Sequence, residues 1–332
     1  MNETFKALMV NKTDDDFSVK IEKLTVHDLP TAEVLIKVAY SSINYKDGLA
    51  SIPDGKIVRS YPFVPGIDLA GVVVSSEDPR FHEGDEVIAT SYEIGVSHYG
   101  GYSEYARIPG DWIVPLPKNL TLREAMIFGT AGFTAALSIQ RLEDNGITPD
   151  KGNVLVTGAT GGVGSLAISM LAKAGYKVVA STGKAAEHDF LQKLGASEII
   201  SREDVHSGKI KALDKQLWAG AVDPVGGETL AAILSKVHYN GSVAVSGLTG
   251  GAQVPTAVFP FILRGINLLG IDSVHCPMDV RQTVWNRMAN DLKPTNLLDL
   301  IQKEIMLEEL SETFPTLLKG QARGRIIVKL ED

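Results

Sequence analysis

The chain has 332 residues, with 32 Lys and Arg against 40 Asp and Glu, and a formal net charge of −8. At roughly 100–200 residues per domain this is a chain of two domains, or three; 44% hydrophobic and 22% charged residues exclude global disorder. The acidic balance excludes a non-specific nucleic-acid binder, and the lone cysteine, Cys276, excludes an intrachain disulfide, a tetracysteine zinc lobe or an iron–sulfur cluster.

Met1 to Asp16 lacks a basic stretch followed by an apolar run of signal length, and carries Asp14, Asp15 and Asp16. No stretch of about 18 apolar residues follows anywhere. A reducing, cytoplasmic location with no membrane partner is the expectation. The first third reads as β-rich. Strands are predicted at Val34–Tyr40, Gly71–Val74 and Glu86–Ala89, separated by turns at Pro53-Asp54-Gly55, Pro65-Gly66, Glu83-Gly84-Asp85 and Tyr99-Gly100-Gly101. Short strands at this spacing suggest a barrel-like β domain.

The pattern changes near residue 122. Leu122–Leu142 has helical spacing. Asn153–Thr157 is an apolar run that leads through Gly158-Ala159-Thr160-Gly161-Gly162-Val163-Gly164 into a predicted helix, Ser165–Ala174, ended by Gly175. Tyr176–Ala180, Phe190–Leu194, Glu198–Ile200, Ala221-Val222, Leu230–Leu234 and Ser242–Val245 continue the alternation. That pace implies βαβ crossovers and a parallel sheet. Gly265–Ile271 is an apolar strand candidate, Val280–Leu292 and Leu297–Lys303 are amphipathic helix candidates, and Gly324–Leu330 is a closing strand. The simplest layout inserts an α/β unit, about 127–274, into a β-rich domain made by both ends of the chain.

A glycine run between an apolar strand and a helix is a phosphate-binding signature. Here it reads Ala159-x-Gly161-x-x-Gly164, one methyl from G-x-G-x-x-G. Small residues let the backbone approach a pyrophosphate, Gly164 lets helix and strand pack closely, and the N–H groups opening the helix bind the anion. A glycine-rich turn without a ligand is the plain alternative. About 20 residues on, an NAD-binding unit places an acid on the ribose 2′-hydroxyl. This chain has Ser181-Thr182-Gly183-Lys184 there, and no acid. Two hydroxyls and an ammonium suit a 2′-phosphate, so NADP is expected over NAD. Arg202 is a second cation candidate for the adenosine end, or else a surface charge.

Several segments together resemble the zinc-independent, quinone-oxidoreductase type of medium-chain dehydrogenase/reductase: Ser42–Asp47, Val64–Gly71, Gly84–Val87, Gly129–Ala135, the cradle, and the Gly324-Arg325 strand. Asn44-Tyr45-Lys46-Asp47 with Arg264–Val274 is most similar to the acrylyl-CoA reductase and quinone oxidoreductase subgroup. The resemblance spans nearly the whole chain. It implies an α/β protein in which a Rossmann-type doubly wound parallel sheet is inserted into a GroES-like β-rich barrel domain. The expected divisions are 1–126 for the substrate domain, 127–274 for the NADP-binding domain and 275–332 for the returning segment.

The departures from that family bear on chemistry. Zinc-dependent relatives have Gly-His-Glu where this chain has Gly66-Ile67-Asp68, and a ligand Cys where it has Ser41–Asn44. Cys276 and the seven His do not replace those ligands at family positions, and His82 and His98 read as surface-loop residues. No catalytic zinc is expected. Quinones and carbonyl-conjugated alkenes, enoyl-CoA thioesters such as acrylyl-CoA included, accept hydride without a Lewis acid, but the enolate-like oxygen that forms needs hydrogen-bond donors and a proton must follow.

Tyr45, read as lying on a loop after the strand that ends at Tyr40, is the first candidate to donate; it could instead only hold the cofactor, or pack. Asn44 could orient a carbonyl or a water. By the resemblance, Asp68 lies in the cleft without a proton-transfer role, Thr134, at a helix start, touches the nicotinamide, Leu248 lies along the cofactor and Ser273 reaches its amide. Lys46, Lys56 and Arg59 are the cations available to a CoA substrate. A reductase is thus one reading and a non-catalytic NADPH-binding redox sensor the other. The edge-strand candidate Gly265–Ile271, with Ile266, Leu268, Leu269 and Ile271, points to a homodimer, unless a C-terminal helix covers it.

Overall fold

The computed structural model describes residues 4–330. It divides into two units. The first takes the chain up to Thr130, Val274–Thr283 and the chain from Ile301 on; the second takes Ala131–Ser273 and Val284–Leu300.

In the first unit, β1 (Phe5–Lys12) and β2 (Phe17–Leu24) form an antiparallel pair. The turn between them closes where Thr13 N donates to Asp16 O at 2.8 Å. β3 (Val34–Ser42) is rich in β-branched residues and covered on both faces. After it come α1 (Tyr45–Ala50), β4 (Asp68–Ser76), β5 (Glu86–Thr90), β6 (Tyr105–Ile108) and β7 (Ile113–Pro115). The expectation for residues 34–47 is corrected here: β3 runs on to Ser42, and Tyr45 opens a helix rather than lying on a loop.

α2 (Leu122–Asp144) begins in the first unit and ends in the second, with Gly129 breaking it at φ 50° and ψ −156°. The second unit then alternates: β8 (Val154–Val156), α3 (Gly162–Lys173), β9 (Val178–Ser181), α4 (His188–Lys193), β10 (Glu198–Ile200), α5 (Arg202–Val205), β11 (Trp218–Asp223), α6 (Gly227–Lys236), β12 (Val237–Val245), α7 (Phe259–Arg264) and β13 (Asn267–Gly270). The six strands lie in the order β10-β9-β8-β11-β12-β13, every neighbouring pair parallel. Counted within the unit this is 3-2-1-4-5-6, the order of a dinucleotide-binding sheet, and it reverses between β8 and β11. Leu155, Val179, Ala221 and Val243 form the buried centre, with Leu230, Ile233 and Leu234 of α6 packed in the same cluster.

α8 (Met278–Ala289) is divided between the units; its second half sits in the second, where Trp285 stacks on Phe133 with ring centroids 6.4 Å apart. β14 (Ile301–Met306), α9 (Leu310–Leu318) and β15 (Arg325–Lys329) complete the first unit. Its main sheet runs β14-β15-β3-β4-β5-β7, with β6 also on β3. Ile36, Val38, Leu69 and Val87 share one core with Ile326 and Val328.

The α/β architecture with a doubly wound parallel sheet is as expected. Three local expectations are corrected. Leu297–Lys303 is not a helix: Leu297–Leu300 is a short 3-10 turn, and from Ile301 the chain extends to pair in parallel with β15. Leu297 and Leu300 are both buried, which gave the segment its helical spacing. α3 starts at Gly162 rather than Ser165, because the glycines themselves form its first turn. Within Gly265–Ile271 the strand is Asn267–Gly270, with Ile271 N also donating to Val245 O, and Ile266 and Leu269 are buried in their own unit. Among the described residues no helix is long and apolar enough to cross a membrane.

Candidate functional site

In the second unit the loop between β8 and α3 is shaped by close approach. Gly158 takes φ +54°, and a Cβ on Gly164 would overlap Gly158 O, so only glycine lets the helix start so near the strand end. Gly161 caps α3 and donates to Gly158 O at 2.9 Å. Ala159 and Thr160 are buried, while Gly161 is exposed and only Gly158 O lies near its Cβ direction. The N–H groups of Gly162, Val163 and Gly164 open a twelve-residue helix with no acid in its first turn. Such a helix start presents unsatisfied donors and a positive dipole end to an anion. This cradle fits a pyrophosphate.

The loop is tied to its neighbours at the point where strand order reverses. Asp223, at the end of β11, accepts from Thr157 Oγ1, from Gly226 N at 2.9 Å and from Val225 N at 3.2 Å. Burial raises its pKa against these three donors. The Val225–Gly227 turn so held packs beside Leu248: a Cβ on Gly226 would lie 3.3 Å from Leu248 Cα. Leu248 itself is 67% exposed. On the other side, Ala159 N donates to Ser181 O at 3.3 Å, which joins the cradle to the end of β9. Ser181 and Thr182 are buried, Lys184 is half-buried and Arg202 is exposed. No acid stands in Ser181–Lys184.

The first unit holds a buried polar cluster around Asp68. Asp68 Oδ2 accepts from Ser42 Oγ at 2.6 Å and from Asn44 Nδ2 at 2.7 Å; Asp68 Oδ1 accepts from Thr130 Oγ1 at 2.5 Å, and Thr130 N lies 3.0 Å from both oxygens. The Arg325 guanidinium is buried beside it. It donates to Ser42 Oγ at 2.7 Å, Ile127 O at 2.9 Å, Ile43 O at 3.1 Å and Asn44 Oδ1 at 3.4 Å, and its Nη2 is 4.0 Å from Asp68 Oδ2. Burial pulls the Arg325 pKa down, and the charges of Asp68 and Asp47 oppose that.

Asn44 is therefore clamped at both ends of its amide, with Nδ2 on Asp68 and Oδ1 toward Arg325. Asp68 uses one of two N–H groups. Asp47 fixes the same turn from below, accepting from Asn44 N at 2.8 Å and Ile67 N at 2.9 Å. Tyr45, the first residue of α1, is 51% exposed beside this clamp.

Thr134 is buried near the start of the helical stretch that follows the Gly129 break in α2, and its carbonyl accepts from Ser138 Oγ. Ser273 follows β13 and is half-buried. Lys56 and Arg59 are exposed, Arg59 with Glu93 at 3.6 Å, and Lys46 is half-buried. His98 is not a free surface residue. It is half-buried, its Nε2 lies 2.6 Å from Arg107 O, and burial lowers its pKa. Among the described residues no group of three or more His, Cys, Asp or Glu is placed to hold a metal ion.

The family model for the alcohol dehydrogenase GroES-like domain matches residues 30–118, and that for the zinc-binding dehydrogenase matches 162–290. The chain is 64% identical over 330 residues to "Putative quinone oxidoreductase YhfP" of Bacillus subtilis, covering 99% of this chain and 100% of that protein. It is 47% identical to "Acrylyl-CoA reductase AcuI" of Ruegeria pomeroyi, covering 98% of each. The chain belongs to the medium-chain dehydrogenase/reductase superfamily of NAD(P)-dependent oxidoreductases.

Two solved superfamily structures match in full. The B. subtilis yhfP protein with NAD bound has a TM-score of 0.98 over 99% of this chain and 100% of that one. The yhdH oxidoreductase of Salmonella enterica in complex with NADP has a TM-score of 0.95 at 45% identity, over 98% and 100%. The first unit is thus GroES-like as well as β-rich. Within this superfamily frame, sequence reasoning missed Arg325 as a site residue, and missed Gly129, Thr130, Thr157 and Asp223. Arg325 was visible only as part of a terminal strand. Its tell was an arginine directly before an apolar run, Ile326, Ile327 and Val328.

Proposed function

We propose that the chain is an NADPH-dependent, zinc-independent reductase that transfers hydride to quinones or to carbonyl-conjugated alkenes, enoyl-CoA thioesters among them. The observation that carries the reading is the end of β9: Ser181, Thr182 and Lys184, with Arg202 against Gly183, adjoin the cradle where an NAD-binding sheet would present an acid. When bound, the nicotinamide cofactor supplies the hydride. The chain's own residues do the rest. The α3 N–H groups hold the pyrophosphate, Lys184 and Arg202 hold the 2′-phosphate, and Thr134, Leu248 and Ser273 serve the nicotinamide end by the family resemblance.

On the acceptor side, the second Nδ2–H of Asn44 is offered to the substrate oxygen from an amide whose orientation is already fixed by Asp68 and Arg325. Preorganised donors of this kind stabilise a developing enolate without reorganisation in the reaction. Tyr45 supplies the proton that completes alkene reduction. Asp68, at the position of a family zinc ligand, is committed to four donor contacts and faces a fixed guanidinium, so positive charge at this point is built into the chain.

We also propose a homodimer through β13. The deciding experiment for function compares kcat/KM for acrylyl-CoA and for small quinones, with NADPH and with NADH. NADPH oxidation that depends on one of these acceptors is the expected result. No turnover of any electrophile alongside tight NADPH binding would make the chain a binding protein instead.

A further inference from the structure

The loop after β9 is held more tightly than an ordinary surface turn. Thr182 N donates to Ile200 O at 3.1 Å, Ser181 Oγ donates to Ser201 O at 3.4 Å, and Lys184 N donates to Thr182 Oγ1 at 3.0 Å. These bonds set the backbone of Gly183 directly under the side chain of Arg202. A Cβ built on Gly183 would lie 3.0 Å from Arg202 Nε, 3.2 Å from Cζ and 3.3 Å from Cδ. Gly183 is not among the positive-φ glycines, so a side chain there meets no backbone strain. What a side chain would move is the far end of a flexible arginine.

The lack of a side chain at Gly183 therefore has a local consequence: it leaves room for a guanidinium against the strand end. Lys184 is close enough to register that charge. Burial is the main cause lowering its pKa, Glu187 raises it, and Arg202, the smallest of the three effects, lowers it. Two cations, one on the loop after β9 and one at the start of α5, suit a dianionic group, and the planar arginine fork suits phosphate oxygens in particular.

We propose that Gly183 is a specificity-determining residue, which by carrying no side chain seats the Arg202 guanidinium beside Lys184 to receive the 2′-phosphate of NADPH. The inference rests on the NADPH reading above and assigns its selectivity to a residue that touches the phosphate only through another. A side chain at Gly183 displaces Arg202 and turns the site toward NADH without altering the cradle.

The test measures binding to the unliganded protein by calorimetry, with no turnover involved. The parent, Gly183→Ala, Gly183→Leu, Arg202→Ala and the Gly183→Leu/Arg202→Ala double variant are titrated with NADPH, NADH, 2′,5′-ADP and 5′-ADP. Loss of one charge-assisted contact costs about tenfold or more in affinity. Gly183→Leu is expected to lose about that much for NADPH and 2′,5′-ADP, with NADH and 5′-ADP changed less than about threefold. Gly183→Ala moves the same way by less, and its melting temperature at or above the parent's shows that it folds. The double variant binds NADPH no more weakly than Arg202→Ala alone. An NADPH-to-NADH ratio unchanged in both Gly183 variants overturns the inference, and so does a double variant in which the two losses multiply. A parent that binds 2′,5′-ADP no better than 5′-ADP overturns the NADPH reading itself, a result separable from any Gly183 variant.

Discussion

Burial, and then the negative charge of Asp68, push the Asp47 carboxyl up to about 7, while the N–H groups of Asn44 and Ile67 pull the other way. An aspartate in an unfolded chain titrates near 4. Between about pH 4 and pH 7 the folded chain therefore keeps a proton that the unfolded chain has released, and this group's contribution to stability is full below that window and lost as pH rises through it. Its slope is at most about 1.4 kcal/mol per pH unit. Urea midpoints between pH 5 and 7 should fall with rising pH, and Asp47→Asn should flatten the trend while lowering the midpoint, since one carboxylate oxygen that accepts a backbone N–H becomes an amide NH₂. A trend as steep in Asp47→Asn as in the parent would assign the dependence to another group. Tyr45, one residue past the Asn44 clamp and half in solvent, gives a second residue-scale prediction. Tyr45→Phe keeps the ring and removes the proton donor, so kcat for an alkene should fall by roughly 10²–10⁴. Quinone reduction should suffer less, because solvent can protonate a quinone's oxygens. Equal kcat for parent and variant on every acceptor would leave Tyr45 a packing residue.

At the scale of elements, the break in α2 decides whether the Asp68 cluster can exist. Gly129 turns the helix so that Thr130 N and Oγ1 point at Asp68, in a backbone region open almost only to glycine. A Cβ there would lie 2.5 Å from Asp68 Oδ2 and 2.7 Å from Ser42 Oγ. Gly129→Ala should cost about 1–3 kcal/mol in strain before any clash is counted, read as a lower melting temperature by circular dichroism. An unchanged melt would mean the break relaxes freely. The cradle was legible in the sequence because its chemistry is local: strand, glycines and helix lie within about twenty residues, and the absent acid is read at a fixed distance beyond them. The Asp68 cluster was not, because Ser42, Asp68, Thr130 and Arg325 come from four separate segments and no spacing rule joins them; only the departure from the family's zinc ligands marked Asp68. Among elements, β14 was misread because Leu297 and Leu300 mimic a helical face where the chain makes one 3-10 turn and then extends, and parallel pairing with β15 leaves no local signature. The β1–β2 hairpin escaped because four consecutive residues of β1, Ala7–Val10, are buried, so it lacks the alternation of a half-exposed strand.

At the scale of the whole molecule, the sheet of the second unit stops at β13, which among the described residues pairs only with β12 and so leaves one backbone edge open. Leu268 on that strand is 42% exposed in the single chain. The neighbouring α7 segment adds Val258, Phe259, Ile262 and Leu263 at 46–69% exposure. Arg264 anchors that helix by donating to Ser235 O at 2.8 Å and Asp214 O at 2.6 Å, so these side chains are presented on a fixed element. Apolar surface left in water costs about 25 cal/mol per Å², and the proposed pairing of two such edges would be isologous about a two-fold axis. A second copy of the chain would pair edge to edge and bury both patches in a closed C₂ dimer. Light scattering at low micromolar concentration should give about twice the 35.6 kDa chain mass. Leu268→Lys with Ile262→Lys, which places like charges across the axis, should give the mass of one chain with the thermal melt of a folded protein. A dimer that survives both substitutions, or a parent that runs as one chain, removes β13 as the interface.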